Sequence, residues 1–241
     1  MKFATIRPSR RSFLKCLAGA GFVPAILPVT GSGAQPDDTY LILLGTQGGP
    51  NFNLIRGETA TLLVTDNVPY LIDCGYGTFR ALAEAGINFL TLPRIFLTHL
   101  HDDHVADIPA LLSHQWTQGR VDPTRVYGPY GTDALVKAAL EFTRANADIR
   151  YIDEQRNLRP ENLFSGEDIP ASGTVSQVYM DDRVRVSAIE NAHFPDWAKA
   201  QMPYRALSYR FDTAERSIVF SGDTTYSENL VTLARGADVL L

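Results

Sequence analysis

Arg94-Ile95-Phe96-Leu97-Thr98-His99-Leu100-His101-Asp102-Asp103-His104 is the stretch on which the reading of this chain turns. Its first half is a short apolar run that suits a buried strand. Three histidines and their acidic neighbours follow directly, although the whole chain holds only five histidines. Imidazole and carboxylate groups suit Zn²⁺ and related divalent ions. Alternation along an extended chain puts His99 and His101 on one side. The turn into the next helix then swings Asp103 and His104 to a second position. One ion could not easily use all four groups, so the pattern predicts two adjacent metals. The plain alternative, a solvated polar loop, accounts poorly for so many histidines at one strand end.

Outward from that stretch, apolar runs predict strands over 40–44, 59–65 and 70–73 before it. Further strands are expected over 125–127, 175–180, 184–190, 204–212 and 217–221, with one more starting at 239–241. Helices are expected over 78–85, 107–118, 133–147 (with Thr132 as its cap) and 227–234. Residues 153–172 are polar and contain Pro160, Gly166 and Pro170, which predicts a surface loop. There are thus two sets of strands and helices. Helices must cover sheet faces, and two such sets can bury their sheets against each other, which gives a layered α/β sandwich.

His99-x-His101-x-Asp103-His104 resembles the H-x-H-x-D-H signature of the metallo-β-lactamase superfamily. Leu71-Ile72-Asp73-Cys74-Gly75 is similar to that family's strand-end Asp-x-Gly. Asn191-Ala192-His193 falls where its next metal histidine lies, and Ser221-Gly222-Asp223-Thr224 resembles its aspartate turn. With Leu44-Gly45-Thr46-Gln47-Gly48-Gly49-Pro50, the likeness is strongest to the ribonuclease Z and arylsulfatase-type branch. The resemblance implies a four-layer αββα sandwich and a dinuclear zinc centre. It implies that His99, His101 and His193 bind the first ion, that Asp103 and His104 bind the second, and that Asp223 bridges them. Asp73 is then expected behind the ligands, fixing their geometry. Two cations lower the pKa of a water held between them and stabilise developing charge, so hydroxide becomes available as the nucleophile. Asp103 is the expected catalytic carboxylate that orients it.

Other conspicuous residues have plainer readings. His114 reads as a surface or packing residue on the following helix, and Cys74 as a small buried strand-end group. Gly48-Gly49 reads as a turn lining the cleft, because no Gly-Lys-Ser/Thr follows. Core packing is the default for Trp116, Trp197 and Tyr204, with a substrate rim as the alternative.

The chain has 241 residues, 45% hydrophobic and 20% charged, which excludes a disordered or low-complexity protein. Two cysteines exclude a disulfide scaffold. Residues 1–34 hold Lys2, Arg7, Arg10, Arg11 and Lys15 and no acidic group. Removing these five positive charges from a net charge of -5 leaves -10 on residues 35–241. Ser9-Arg10-Arg11-Ser12-Phe13-Leu14-Lys15 and the apolar run to Val29 resemble a twin-arginine signal, with cleavage expected near Ala34. The run is shorter than the ~20 apolar residues that span a bilayer, so no stable membrane anchor is expected. The expected organisation is therefore a signal peptide over 1–34 and a metallo-hydrolase domain over 35–241. The twin-arginine export machinery is the expected partner, and the periplasm or the exterior the expected location. The acidic balance and the export reading together predict a small ester substrate and no nucleic acid.

No histidine follows His193, and Gly236-Ala237-Asp238-Val239-Leu240-Leu241 resembles the strand that precedes the family's last metal ligand. The expectation is a C-terminally truncated domain with a weakened second metal site. The expected function is zinc-dependent hydrolysis of a phosphodiester or an aryl sulfate ester. A β-lactam or lactone hydrolase, a non-catalytic metal-binding protein and an iron redox site are the alternatives.

Overall fold

A computed structural model of the chain describes residues 39–49, 51 and 53–241. The signal-peptide reading of 1–34 lies outside the described residues, and the architecture is that of the unit Gln35–Leu241.

The first sheet has six strands in sequence order: β1 (Tyr40–Gly45), β2 (Ala60–Thr65), β3 (Val68–Ile72), β4 (Arg94–Phe96), β5 (Thr124–Gly128) and β6 (Phe164–Asp168). β1–β3 pair antiparallel, and β3–β6 pair parallel. Parallel strands need crossovers, which here pass through α1 (Thr78–Glu84), then α2 (Asp102–Val105) and α3 (Ile108–Thr117), then α4 (Thr132–Phe142) and α5 (Arg144–Asp153). The second sheet runs in the order β11 (Val239–Leu240), β10 (Ser217–Phe220), β9 (Leu207–Asp212), β8 (Arg185–Glu190), β7 (Ser176–Met180). The short α6 (Asp196–Lys199) joins β8 to β9, and α7 (Glu228–Ala234) follows β10.

Side-chain alternation builds the layers. Leu62, Leu71, Ile95, Leu97 and Val126 face the α1, α3 and α4 side, where Leu82, Leu111, Leu112 and Val136 cover them. Leu63, Tyr70, Ile72, Phe96 and Tyr127 face the other way and meet Val186, Leu207, Tyr209, Phe211 and Phe220 of the second sheet. Phe96 is the hub: its ring lies 5.1 Å from both Tyr127 and Phe211 and 5.7 Å from Tyr209. Behind the second sheet, Ile189, Val219 and Leu233 form a small core under α7. The result is helix, sheet, sheet, helix: the expected αββα sandwich.

Several sequence expectations are corrected. The helix expected over 133–147 is two helices that break at Thr143, whose hydroxyl bonds back to the carbonyls of Ala139 and Leu140. Thr132 does not cap; Gly131 occupies that place, and the Thr132 hydroxyl donates to the Pro129 carbonyl. The surface loop expected over 153–172 contains β6, a polar edge strand. Its Gly166 lets the α4 terminus pack close, since a Cβ there would lie 2.5 Å from Asp133 Cα. Finally, the strand expected from Tyr204 begins only at Leu207.

Candidate metal centre

The sheets bring four strand ends together. β3 and β4 run parallel, and β8 and β10 both run antiparallel to β9, so each pair ends on one side. Two cross-sheet hydrogen bonds pin the site end. The Leu207 amide donates to the Thr98 carbonyl (2.8 Å), and the Tyr209 hydroxyl donates to the Leu97 carbonyl (2.8 Å). Asp73 follows β3, the histidine stretch follows β4, His193 follows β8 and Asp223 follows β10.

Three imidazoles converge. His99 Nε2 lies 3.0 Å from His101 Nδ1, which lies 3.2 Å from His193 Nε2. Two ligand groups emerge among the described residues, His99–His101–His193 and His99–His104–Asp223, each with its donor atoms within 4.8 Å of one another. His99 belongs to both. Asp103 belongs to neither: its Oδ2 lies 3.6 Å from His104 Nε2 and accepts from the Gly49 amide at 2.7 Å. Gly49 of the expected Gly48-Gly49 turn thus reaches the site through its amide.

Behind the ligands, Asp73 acts as a buried clamp. Its carboxylate accepts from the Thr98 amide (2.7 Å) and hydroxyl, and pairs with His104 Nδ1 at 2.8 Å. Its φ of 59° is left-handed, a conformation that aspartate tolerates better than most residues. With Nδ1 so engaged, His104 turns Nε2 to the site. That atom is buried and makes no hydrogen bond among the described residues; Asp223 Oδ1 stands 3.4 Å away. A buried, unbonded nitrogen facing carboxylates is where a cation fits. The charge balance agrees. Burial alone would lower the His104 pKa, but Asp73 and Asp223 hold it up at about 10. The neighbouring His104 imidazole pulls Asp223 down to about 2, and burial beside the neighbouring imidazoles pushes His99 down to about 2. Burial also lowers the His193 pKa.

Sequence reasoning missed the residues that hold the second sheet's contribution. Asn191 Oδ1 accepts from the His193 amide (3.1 Å), while its Nδ2 donates to the Ser221 carbonyl (2.9 Å). The Ser208 hydroxyl donates to that same carbonyl at 2.6 Å. The Ala192 amide donates to Thr224 Oγ1, and the Thr225 hydroxyl donates to the Ala192 carbonyl. Polar residues at strand ends are too common to signal this role. Glycine does signal a close approach at Gly75, where a Cβ would lie 2.1 Å from the Asp103 carbonyl oxygen. His114 stacks on Phe79 as a packing residue, Cys74 is buried, and Trp116 is core. Trp197 and Tyr204 are not core; both are exposed.

A chain with this sandwich and this ligand cluster matches the family described as a beta-lactamase superfamily domain, over residues 69–241. It belongs to the metallo-β-lactamase superfamily of hydrolases. It is 30% identical to a ribonuclease Z of Enterococcus faecalis, over 82% of this chain and 72% of that one. It is 29% identical to a ribonuclease Z of Ignicoccus hospitalis, over 73% of this chain and 65% of that one. Its fold is similar to the crystal structure of human tRNase Z, short form (TM-score 0.64, 22% identity, 83% of this chain and 76% of that one). These comparisons correct the expectation that nucleic acid is excluded, because the relatives by sequence are ribonucleases. Net charge describes a whole surface, whereas a phosphate partner is met locally, by the groups of one site.

Proposed function

We propose that this chain is a zinc-dependent phosphodiesterase. His99, His101 and His193 would hold one ion, and His104 a second, with Asp223 and Asp103 beside it. The observation that carries this reading is the buried, unbonded His104 Nε2 set next to three converging imidazoles. When bound, two cations supply Lewis acidity, which polarises the scissile group and makes water a better nucleophile at neutral pH. The chain's own residues do the rest. Asp73 fixes the ring plane and tautomer of His104. The Gly49 amide orients the Asp103 carboxylate, which would align the attacking water and take its proton. The ribonuclease Z relatives favour a phosphodiester over a sulfate ester and bring RNA among the substrates to test.

The test is metal content per chain, followed by turnover of bis(p-nitrophenyl) phosphate, p-nitrophenyl sulfate, a chromogenic β-lactam and an RNA oligonucleotide. The expected result is diester cleavage that a chelator abolishes and zinc restores. Zinc binding with no turnover of any of these would sink the enzymatic reading.

A further inference from the structure

We infer that residues 194–204, together with Tyr130, form an aromatic subsite that takes a planar ring on the non-leaving side of the substrate. This assignment rests on the phosphodiesterase reading.

The segment begins and ends beside the histidine loop. The Phe194 ring lies 4.7 Å from that of His193 and 5.4 Å from that of His101. At the other end, Tyr204 packs over Gly131. A Cβ built on Gly131 would meet Tyr204 Cε1 and Leu100 Cδ1, each at 3.0 Å, and Leu100 sits between His99 and His101. The Tyr130 ring lies 6.0 Å from that of Tyr204. Between the two ends, α6 exposes Trp197 at 71% of its surface, and Tyr130 and Tyr204 are exposed as well. Single exposed apolar residues are ordinary. Here Tyr130 and Tyr204 stand together as a pair, and the segment that carries Phe194, Trp197 and Tyr204 starts against two proposed ligands.

The segment is also held in advance of any ligand. The Arg205 guanidinium donates to the carbonyls of Met202 and Tyr204 (2.8 Å each) and of Lys199, with Glu190 at 3.7 Å. Lys199 in turn pairs with Asp196 at 2.9 Å and with Glu190 at 3.5 Å. Rings presented on a pre-ordered backbone lose little freedom on binding. Stacking on such rings tolerates any base, because every base has a π-face, and a simple aryl group offers the same face.

The experiment uses the zinc-loaded full chain and p-nitrophenyl phosphodiesters whose second ester group is methyl, phenyl or thymidin-5′-yl. The leaving group is constant, and comparison of parent with variants separates the subsite's share from the intrinsic effect of the second ester group. The phenyl or thymidinyl ester should exceed the methyl ester in kcat/KM by about tenfold, and Trp197→Ala and Tyr204→Leu should bring that ratio toward one. Phenyl ahead of thymidinyl assigns a simple aryl group, and the reverse order a nucleobase. Turnover with a ratio near one in the parent chain, or an unchanged ratio in both variants, overturns the subsite. If no diester is cleaved, the phosphodiesterase reading falls by itself, and binding decides the subsite. Diphenyl phosphate, but not dimethyl phosphate, should quench Trp197 fluorescence saturably, with Trp197→Ala as the control for Trp116. Absence of saturable quenching overturns it.

Discussion

The two halves of the sandwich reach one site by different means. The first sheet supplies His99, His101, Asp103 and His104 from a single turn after β4, backed by the buried Asp73. Both of its faces are covered, so the strand ends that carry this turn sit in core. The second sheet supplies His193 and Asp223 from two separate turns, held by side-chain hydrogen bonds from Asn191, Ser208, Thr224 and Thr225. Among the described residues, its outer face has a small buried apolar cover of Ile189, Val219 and Leu233. Ligands from one turn inherit their spacing from local backbone, whereas ligands from two turns keep theirs only while the ties between those turns hold.

The largest effect is therefore expected in the first half. His99 is common to both ligand groups. His99→Ala should remove both metal equivalents and bring turnover to background, read by metal analysis alongside the diester assay. Retention of one full equivalent would mean that the two groups are independent. Asp73→Asn comes next. It keeps the clamp's size but removes an acceptor oxygen that Thr98 and His104 use. Metal affinity should fall by about 10–100-fold, measured by competition with a chelator. An unchanged affinity would show that His104 is oriented by packing alone.

How much of this was legible in the sequence follows the same division. The first half's ligands lie within one stretch, where an apolar strand pattern and metal-binding chemistry coincide, and the structure brings those residues together. The second half's candidate ligands needed the family resemblance, because a lone histidine before Pro195 or an aspartate after Gly222 carries little information alone. The ties between them were not legible at all. β6 was missed for a related reason: Phe164-Ser165-Gly166-Glu167-Asp168 pairs only with β5 and buries little, so it lacks the apolar pattern of a strand. The break at Thr143 carries no glycine or proline, and a hydroxyl bonding back to its own helix is invisible in a pattern of polarity.

A smaller effect is expected from Asn191→Ala, which unties the two turns of the second sheet without removing a ligand. Loss of metal affinity of about tenfold, at the low end for residues behind the ligands, fits a second half held by several ties. A loss equal to that of Asp73→Asn would erase the distinction between the halves.

The smallest effect lies at the end of the sandwich away from the ligand turns. Asp181, in the β7–β8 turn, accepts from the hydroxyls of Tyr70 (2.6 Å) and Tyr179 (2.8 Å) and from the Arg183 and Val184 amides (2.9 Å each). Burial alone would raise its pKa, but these four bonds hold it below the ordinary carboxylate value. A carboxylate whose folded pKa is depressed adds stability above its unfolded pKa, and that contribution disappears as pH falls through the folded value. Asp181→Asn should thus lower the melting temperature at neutral pH by an amount equivalent to about 1 kcal/mol or less, since the group is partly exposed. The gap between parent and variant should begin to narrow below about pH 4 and close as pH falls through the lower folded value of the parent carboxyl. Metal content should not change, because Tyr70 reaches Asp181 from the middle of β3 while Asp73 stands past its end. A loss of zinc in Asp181→Asn would mean that the sheets move as one body, and that the ties at the ligand turns are not what fixes the second half.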